Sequence, residues 1–179
     1  MNKPEKAFST IGCCGIDCGL CPRHYTAGAS RCPGCGGAGF HEKHPACGVL
    51  TCCVTKHGSE VCADCADYPC RRFDGAERDS FVTHQRMADN LSDIHSRRMD
   101  AFLAGQQRRI AALEYLLAEA DDGRSKSFYC LACALLLLAE LEAAVDAVRG
   151  LPKPERNRAA RERLDAAAER CGTQLKLRK

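Results

Sequence analysis

Cys14-Gly-Ile-Asp-Cys18-Gly-Leu-Cys21-Pro22, followed by Cys32-Pro-Gly-Cys35-Gly-Gly37, opens the stretch that decides how this chain folds. Two thiolates spaced C-x-x-C from one tight turn can point at a single ion. In Cys32-Pro-Gly-Cys35, proline presets the turn and glycine accepts a positive φ. Working outward, a third C-x-x-C pair follows at Cys62/Cys65. Cys14 precedes Cys18 by four, Cys47 and Cys52 form a C-x4-C pair, and Cys70 follows Cys65 by five. Twelve of the 15 cysteines in the 179 residues fall between Cys13 and Cys70. One C-x-x-C pair would carry little weight; three, interleaved with four more cysteines, read as a metal constellation.

The ten candidate ligands are Cys14, Cys18, Cys21, Cys32, Cys35, Cys47, Cys52, Cys62, Cys65 and Cys70. They fill two four-ligand sites with two left over. A third site would need two more ligands from Cys13, Cys53, His41, His44 or His57. Cys13 and Cys53 read better as small buried hydrophobes, and the histidines as exposed loop residues. Spacing does not fix the grouping; the expected one sets Cys18/Cys21 with Cys32/Cys35, and Cys47/Cys52 with Cys62/Cys65. Zinc fits the knuckles, and an iron–sulfur cluster, which also needs four thiolates, is the alternative. Cys14-x3-Cys18-x2-Cys21 has the spacing of the radical S-adenosylmethionine loop. Those enzymes need a large α/β barrel of about 250 residues, and the rest of this chain reads as helix. A closed four-thiolate site leaves no position for substrate, so its role would be structural. A catalytic zinc would want three ligands, often with histidine, and no such set shows in the spacing.

Composition marks a boundary near Gly75. The glycine-, proline- and cysteine-rich part has too little apolar side chain to offset its ordering entropy and needs metal staples to fold. Beyond it the periodicity is helical. Leu131, Leu135, Leu138, Leu141, Val145 and Val148 form one stripe, predicting a single continuous helix. Ile110, Leu113 and Leu117 form another, and Leu164, Ala168, Cys171 and Leu175 a third. Phe81 to Met99 reads as helix with weaker periodicity. Asp121-Asp122-Gly123 is a stop signal, and Gly150 with Pro152 and Pro154 ends one helix and starts the next. The expected fold is therefore an irregular, zinc-knuckle-like, metal-stapled module over 1–76 followed by an all-α helical bundle over 77–179.

The ordered set Cys14-Gly-Ile-Asp-Cys18-Gly-Leu-Cys21-Pro, Cys32-x-Gly-Cys35, Cys47-x4-Cys52 and Cys62-x-x-Cys65-x-x-Tyr-Pro-Cys70 resembles a cysteine-rich family of unknown function, widespread in bacteria and archaea. Asp122-Gly123-Arg124-Ser125 with Phe128-Tyr129-Cys130-Leu131-Ala132 looks like the tail on some of its members. The resemblance implies the same ten ligands and zinc binding, and no activity. Cys13 and Cys53 are not part of the pattern.

Other features read more plainly. Cys130 and Cys133 share a helix face within the most apolar run and suit a core, as does Cys171. Leu151 to Lys179 has nine basic and four acidic residues. Arg156, Arg158, Arg161, Arg163 and Arg170 could contact phosphates, but the interleaved Glu155, Glu162, Asp165 and Glu169 favour a solvated face. The aromatic residues of the cysteine-rich part (Phe8, Tyr25, Phe40, Tyr68 and Phe73) form no stacking platform. His84, His95 and Asp93 form no recognisable catalytic set, and no phosphate-cradling glycine loop appears, so an enzyme is the least supported class. The longest apolar run, Phe128 to Ala139, is too short for a bilayer, and no membrane partner is expected. The N-terminal residues lack a secretory pattern, and a cytoplasmic protein is expected, one in which clustered cysteines bind metal and a protein partner is more natural than nucleic acid. The formal charge of +3 counts every thiol as neutral. Each four-thiolate zinc site carries about −2, so two would bring the chain to about −1 and three to about −3.

Overall fold

A computed structural model describes residues 4–73 and 78–179. The expected boundary near Gly75 lies outside the described residues. The chain divides into two compact units: Met1–Phe102 with Arg178–Lys179, and Leu103–Leu177. Among the described residues every regular element is helical.

The first unit, up to Phe73, is a succession of single turns. Two of its C-x-x-C pairs adopt one backbone shape. Cys18–Leu20 and Cys62–Asp64 are 3₁₀ turns in which the N–H of Cys21 donates to Cys18 O (3.3 Å) and that of Cys65 to Cys62 O (3.0 Å). Cys21 (φ −80°, ψ 134°) and Cys65 (φ −84°, ψ 133°) then leave in extended conformation. The third pair is built differently. Gly34 has φ +90°, and a Cβ there would meet the Ser9 carbonyl oxygen at 2.2 Å. That close approach lets the Cys35 N–H donate to Ser9 O at 2.9 Å. Only glycine combines this φ with this contact.

Long-range bonds hold these turns together. The Cys62 N–H donates to Cys13 O at 2.8 Å, and Glu60 accepts from the N–H groups of Ala7 (2.9 Å) and Phe8 (3.2 Å). Two small cores result. Ile11, Val61, Ala63, Leu91 and Ile94 make one; Cys13, Cys35, Phe40, Leu50 and Cys53 make the other. Thiols thus stand where a larger domain would place aliphatic side chains, as expected for a segment poor in apolar residues. Near the other end of this unit Asp79 is a clasp. It accepts from the backbone N–H groups of Arg178 (2.8 Å) and His84 (2.8 Å) and from the Arg178 guanidinium (3.1 Å).

The long helix α1 (Met87–Glu119) starts in the first unit and ends in the second. It begins later than the reading of Phe81 to Met99 as helix and is interrupted at Arg98 (φ 69°, ψ 155°). In the first unit Asn90 is buried on it and donates to Gly15 O at 2.9 Å.

The second unit holds the rest of α1, then α2 (Lys126–Leu135), α3 (Leu138–Arg149) and α4 (Lys153–Arg170). The helical expectation holds here, with two corrections. α4 ends at Arg170, so Leu175 of the third stripe lies beyond it, and Cys171, at its C-cap, is half-buried rather than core. The stripe from Leu131 to Val148 is not one helix, because the chain turns extended at Leu136 and Leu137. Four successive leucines satisfy an apolar face in more than one phase, so periodicity does not reveal the break. Arg109 satisfies the freed end by donating to Cys133 O (2.7 Å) and Leu136 O (2.8 Å). In α2 the buried side chains are Tyr129, Cys130, Ala132, Cys133 and Ala134, so Cys130 and Cys133 are core residues. Leu141, Val145 and Val148 keep their stripe and pack with α4, where Ala160, Leu164, Ala167 and Ala168 are buried.

A polar knot ties the Asp121–Ser125 turn to α4. Asn157 Nδ2 donates to Ala120 O (2.7 Å), Ser125 Oγ (3.1 Å) and Tyr129 OH (3.1 Å), and Tyr129 OH donates to Ala120 O (3.1 Å). Arg161 reaches Ser125 Oγ (3.3 Å) and lies 4.4 Å over the Phe128 ring. Arg156 pairs with Glu119 (2.6 Å), Arg170 with Glu140 (2.6 Å) and Arg158 with Glu162 (3.8 Å). Most of the basic residues singled out for phosphate contact therefore already have partners within their own unit.

Candidate metal centre

Six of the ten candidate ligands face one cavity in the first unit. Cys14, Cys18, Cys21, Cys32, Cys35 and Cys47 line it, with His44 beside them and Ile16, Phe40, Phe81 and Val82 among its apolar walls. The cavity is about 110 Å³, more room than one water needs. The first expected group, Cys18/Cys21 with Cys32/Cys35, is thus brought to one place. Cys47 stands with it, apart from Cys62 and Cys65. His44 is held by stacking on Phe40, with ring centroids 4.6 Å apart. His41 Nε2 lies 3.4 Å from Pro4 O, and Lys43 is bonded to Ala29 O.

Within the cavity the thiols follow an order. Cys14 lies in the field of Cys35 and Cys47, Cys18 in that of Cys35, Cys14 and Cys21, and Cys21 in that of Cys32. Burial pushes the Cys14 thiol up to about 11 and raises Cys18 and Cys21 as well. For Cys35 the hydrogen bond with Cys13 comes first and burial second, both raising it. In the absence of an ion these thiols are therefore protonated at neutral pH, and metal capture must release their protons.

Next to the cavity, Cys35, Cys13 and Cys53 are buried in one cluster, with the half-buried Cys62 packed against it. For Cys13 the bond with Cys35 lowers the value, but the bond with Cys53 and burial outweigh it and lift the thiol to about 12. For Cys53 the bond with Cys13 lowers it, and the Cys62 bond and burial raise it to about 12. Cys53 Sγ donates to Ser59 O at 3.2 Å, which requires a protonated thiol. Cys13 and Cys53 are 1% and 2% exposed, as suits small core residues.

Cys62 and Cys65 part company. Cys62 packs half-buried against the cluster of Cys13 and Cys53, whereas Cys65 Sγ lies 3.5 Å from His57 Nδ1. Among the described residues, His57, Cys65 and Asp67 form the one group of three metal-competent side chains whose ligand atoms all lie within 4.8 Å of one another. Sequence reasoning offered His57 as a possible ligand of a third site but favoured an exposed loop residue, and did not consider Asp67; a carboxylate two residues after a knuckle cysteine was the available signal. Sulfurs around one tetrahedral zinc at about 2.3 Å would stand about 3.8 Å apart. Among the described residues, no three of the cavity thiols have their sulfurs all within 4.8 Å of one another. Cys52 and Cys70 are half-buried and are not among the cavity's walls. The twelve cysteines from 13 to 70 form no disulfide.

Among the described residues no helix is long and apolar enough to cross a membrane. Comparison of the chain with protein-family models, curated proteins and solved structures finds no match.

Proposed function

We propose that this chain is a metal-binding protein whose ions hold the cysteine-rich unit in shape as a docking module for a protein partner. The observation that carries the reading is the convergence of six cysteines, from two C-x-x-C turns and two single positions, on a single cavity. Thiolate sulfur is a soft donor, and zinc is the ion that knuckle turns of this kind suit best. Four thiolates closing on one ion leave no open position, so the role there is structural and no catalytic step is assigned to it. The resemblance to the cysteine-rich family supports the same ligands. In a reducing cytoplasm the thiols would remain available to metal.

No three cavity thiols stand within 4.8 Å of one another, and this favours a second reading, an iron–sulfur cluster serving redox or sensing. A cluster keeps its cysteines apart by its own bulk, whereas a single ion draws them together. Metal analysis and an absorption spectrum of anaerobically purified protein decide between the two. Colourless protein with bound zinc supports the first; brown protein with iron and acid-labile sulfide supports the second. Protein that retains neither metal after purification and anaerobic reconstitution refutes both. A nucleic-acid-associated role for the basic α4 is less supported, because Arg156, Arg158, Arg161 and Arg170 are already engaged. Binding that weakened steeply with salt would restore it.

A further inference from the structure

The Cys62/Cys65 turn repeats the backbone of the Cys18/Cys21 turn, yet its two thiols face different surroundings. Cys18 and Cys21 both line the cavity. Cys62 turns to the buried Cys53, and Cys65 meets His57 at 3.5 Å on an exposed surface, with Asp67 beside it. Both backbone segments that carry the trio are pinned. The Cys65 N–H donates to Cys62 O (3.0 Å) and the Tyr68 N–H to Cys65 O (3.1 Å), bracketing Asp67. On the other side the Gly58 N–H donates to Val54 O (3.1 Å) and Ser59 Oγ to His57 O (3.3 Å). The ligand atoms therefore meet on a fixed frame.

We propose that His57, Cys65 and Asp67 hold a zinc ion of open coordination, separate from the six-thiol cavity, with its fourth position taken by water. One nitrogen, one thiolate and one carboxylate are a mixed donor set that hard ions such as Ca²⁺ and Mg²⁺ do not use and borderline ions do. Their atoms lie within 4.8 Å of each other, close enough to contract onto a tetrahedral ion by small side-chain motions. Three protein ligands with a water is the arrangement of zinc sites that bind or activate a ligand, in contrast to closed four-thiolate sites. Exposure of His57 and Asp67 leaves the fourth position accessible to a small donor such as imidazole or to a donor side chain of a partner protein. The assignment does not require that the cavity bind metal.

The test is a Co²⁺ titration of the anaerobic full-length chain, with His57→Ala and Asp67→Asn alongside, followed by absorption and then by addition of imidazole. The wild type is expected to bind one equivalent more than His57→Ala, and imidazole to shift its d–d bands while leaving those of His57→Ala unmoved. Both side chains are exposed, so unchanged far-UV circular dichroism will show that the variants fold. Equal stoichiometry in wild type and both variants, or bands in the wild type indifferent to imidazole, overturns the proposal. Failure of the cavity to bind metal would lower the total for all three proteins alike and leave the one-equivalent difference intact, so the two readings fail separately.

Discussion

Replacing Gly34 by alanine should open the first unit far more than the same replacement at Gly28. Both glycines have positive φ, +90° and +74°, so both substitutions incur the left-handed penalty of about 1–2 kcal/mol. Both also remove the same backbone freedom from the unfolded chain, which cancels in the comparison. They differ in what the new methyl meets. At Gly28 nothing lies within 4 Å, whereas at Gly34 the Cβ would stand 2.2 Å from Ser9 O and 2.9 Å from Ser9 C. Backbone atoms cannot swing aside, so the Cys32–Cys35 loop must move and lose the Cys35 N–H bond to Ser9 O, worth about 1 kcal/mol net. The total for Gly34→Ala is then about 3 kcal/mol or more, against about 1–2 for Gly28→Ala. Labelling of the buried thiols of Cys13 and Cys53 by a thiol reagent, read by peptide mass spectrometry, reports the open population when reclosing is fast. At a factor of ten per 1.4 kcal/mol, Gly34→Ala should label about a hundredfold faster than wild type and Gly28→Ala about five- to thirtyfold. Rates within twofold of each other in the two variants would refute the close approach at Ser9.

Three further outcomes are expected. Asn157→Ala removes the donor shared by Ala120 O, Ser125 Oγ and Tyr129 OH and should cost the second unit about 1–3 kcal/mol, read from urea unfolding of the helical signal. Arg98→Gly, at φ 69° and ψ 155°, relieves strain of about 1–3 kcal/mol against a glycine entropy cost of about 0.5–1, so it should raise the melting temperature or leave it unchanged; a fall of several degrees would show the kink to be unstrained. Burial pushes the Asp79 carboxyl upward, but the N–H groups of Arg178 and His84 and the Arg178 guanidinium outweigh it and hold the group at about 2, below its ordinary 3.8. A depressed folded-state value means stability fully present above the unfolded value and lost as pH falls from about 4 towards 2. Asp79→Asn should therefore flatten the melting temperature against pH in that window.

The sequence carried the helical half where punctuation is chemical. Asp121-Asp122-Gly123 does end α1 and lead into α2, because Asp121 and Asp122 accept from the N–H groups of Gly123, Arg124 and Ser125 at 3.0–3.1 Å. Pro152 and Pro154 do start α4. The break at Leu136–Leu137 carries no such mark, because its carbonyls are satisfied from α1 by Arg109, a contact between residues 24 and 27 positions apart. In the cysteine-rich part, the expected group of Cys18/Cys21 with Cys32/Cys35 lines one cavity, but Cys47 lines it too rather than standing with Cys62 and Cys65. Spacing could not separate Cys62 from Cys65. The local turns at 18–21 and 62–65 are alike, and only residues brought from elsewhere, Cys53 and His57, decide where each thiol points. His57 was legible as one of several candidates for a third site, but not its pairing with Cys65, which depends on the turn at Gly58.

The Asp79–Arg178 clasp joins residues 99 positions apart. A ribosome adding about 5–20 residues per second needs about 5–20 s to pass from one to the other. By then every cysteine from 13 to 70 has been made, while the clasp on their unit is still unformed. The order of synthesis thus gives the thiols an interval in which metal can reach them before the last contact of their own unit closes.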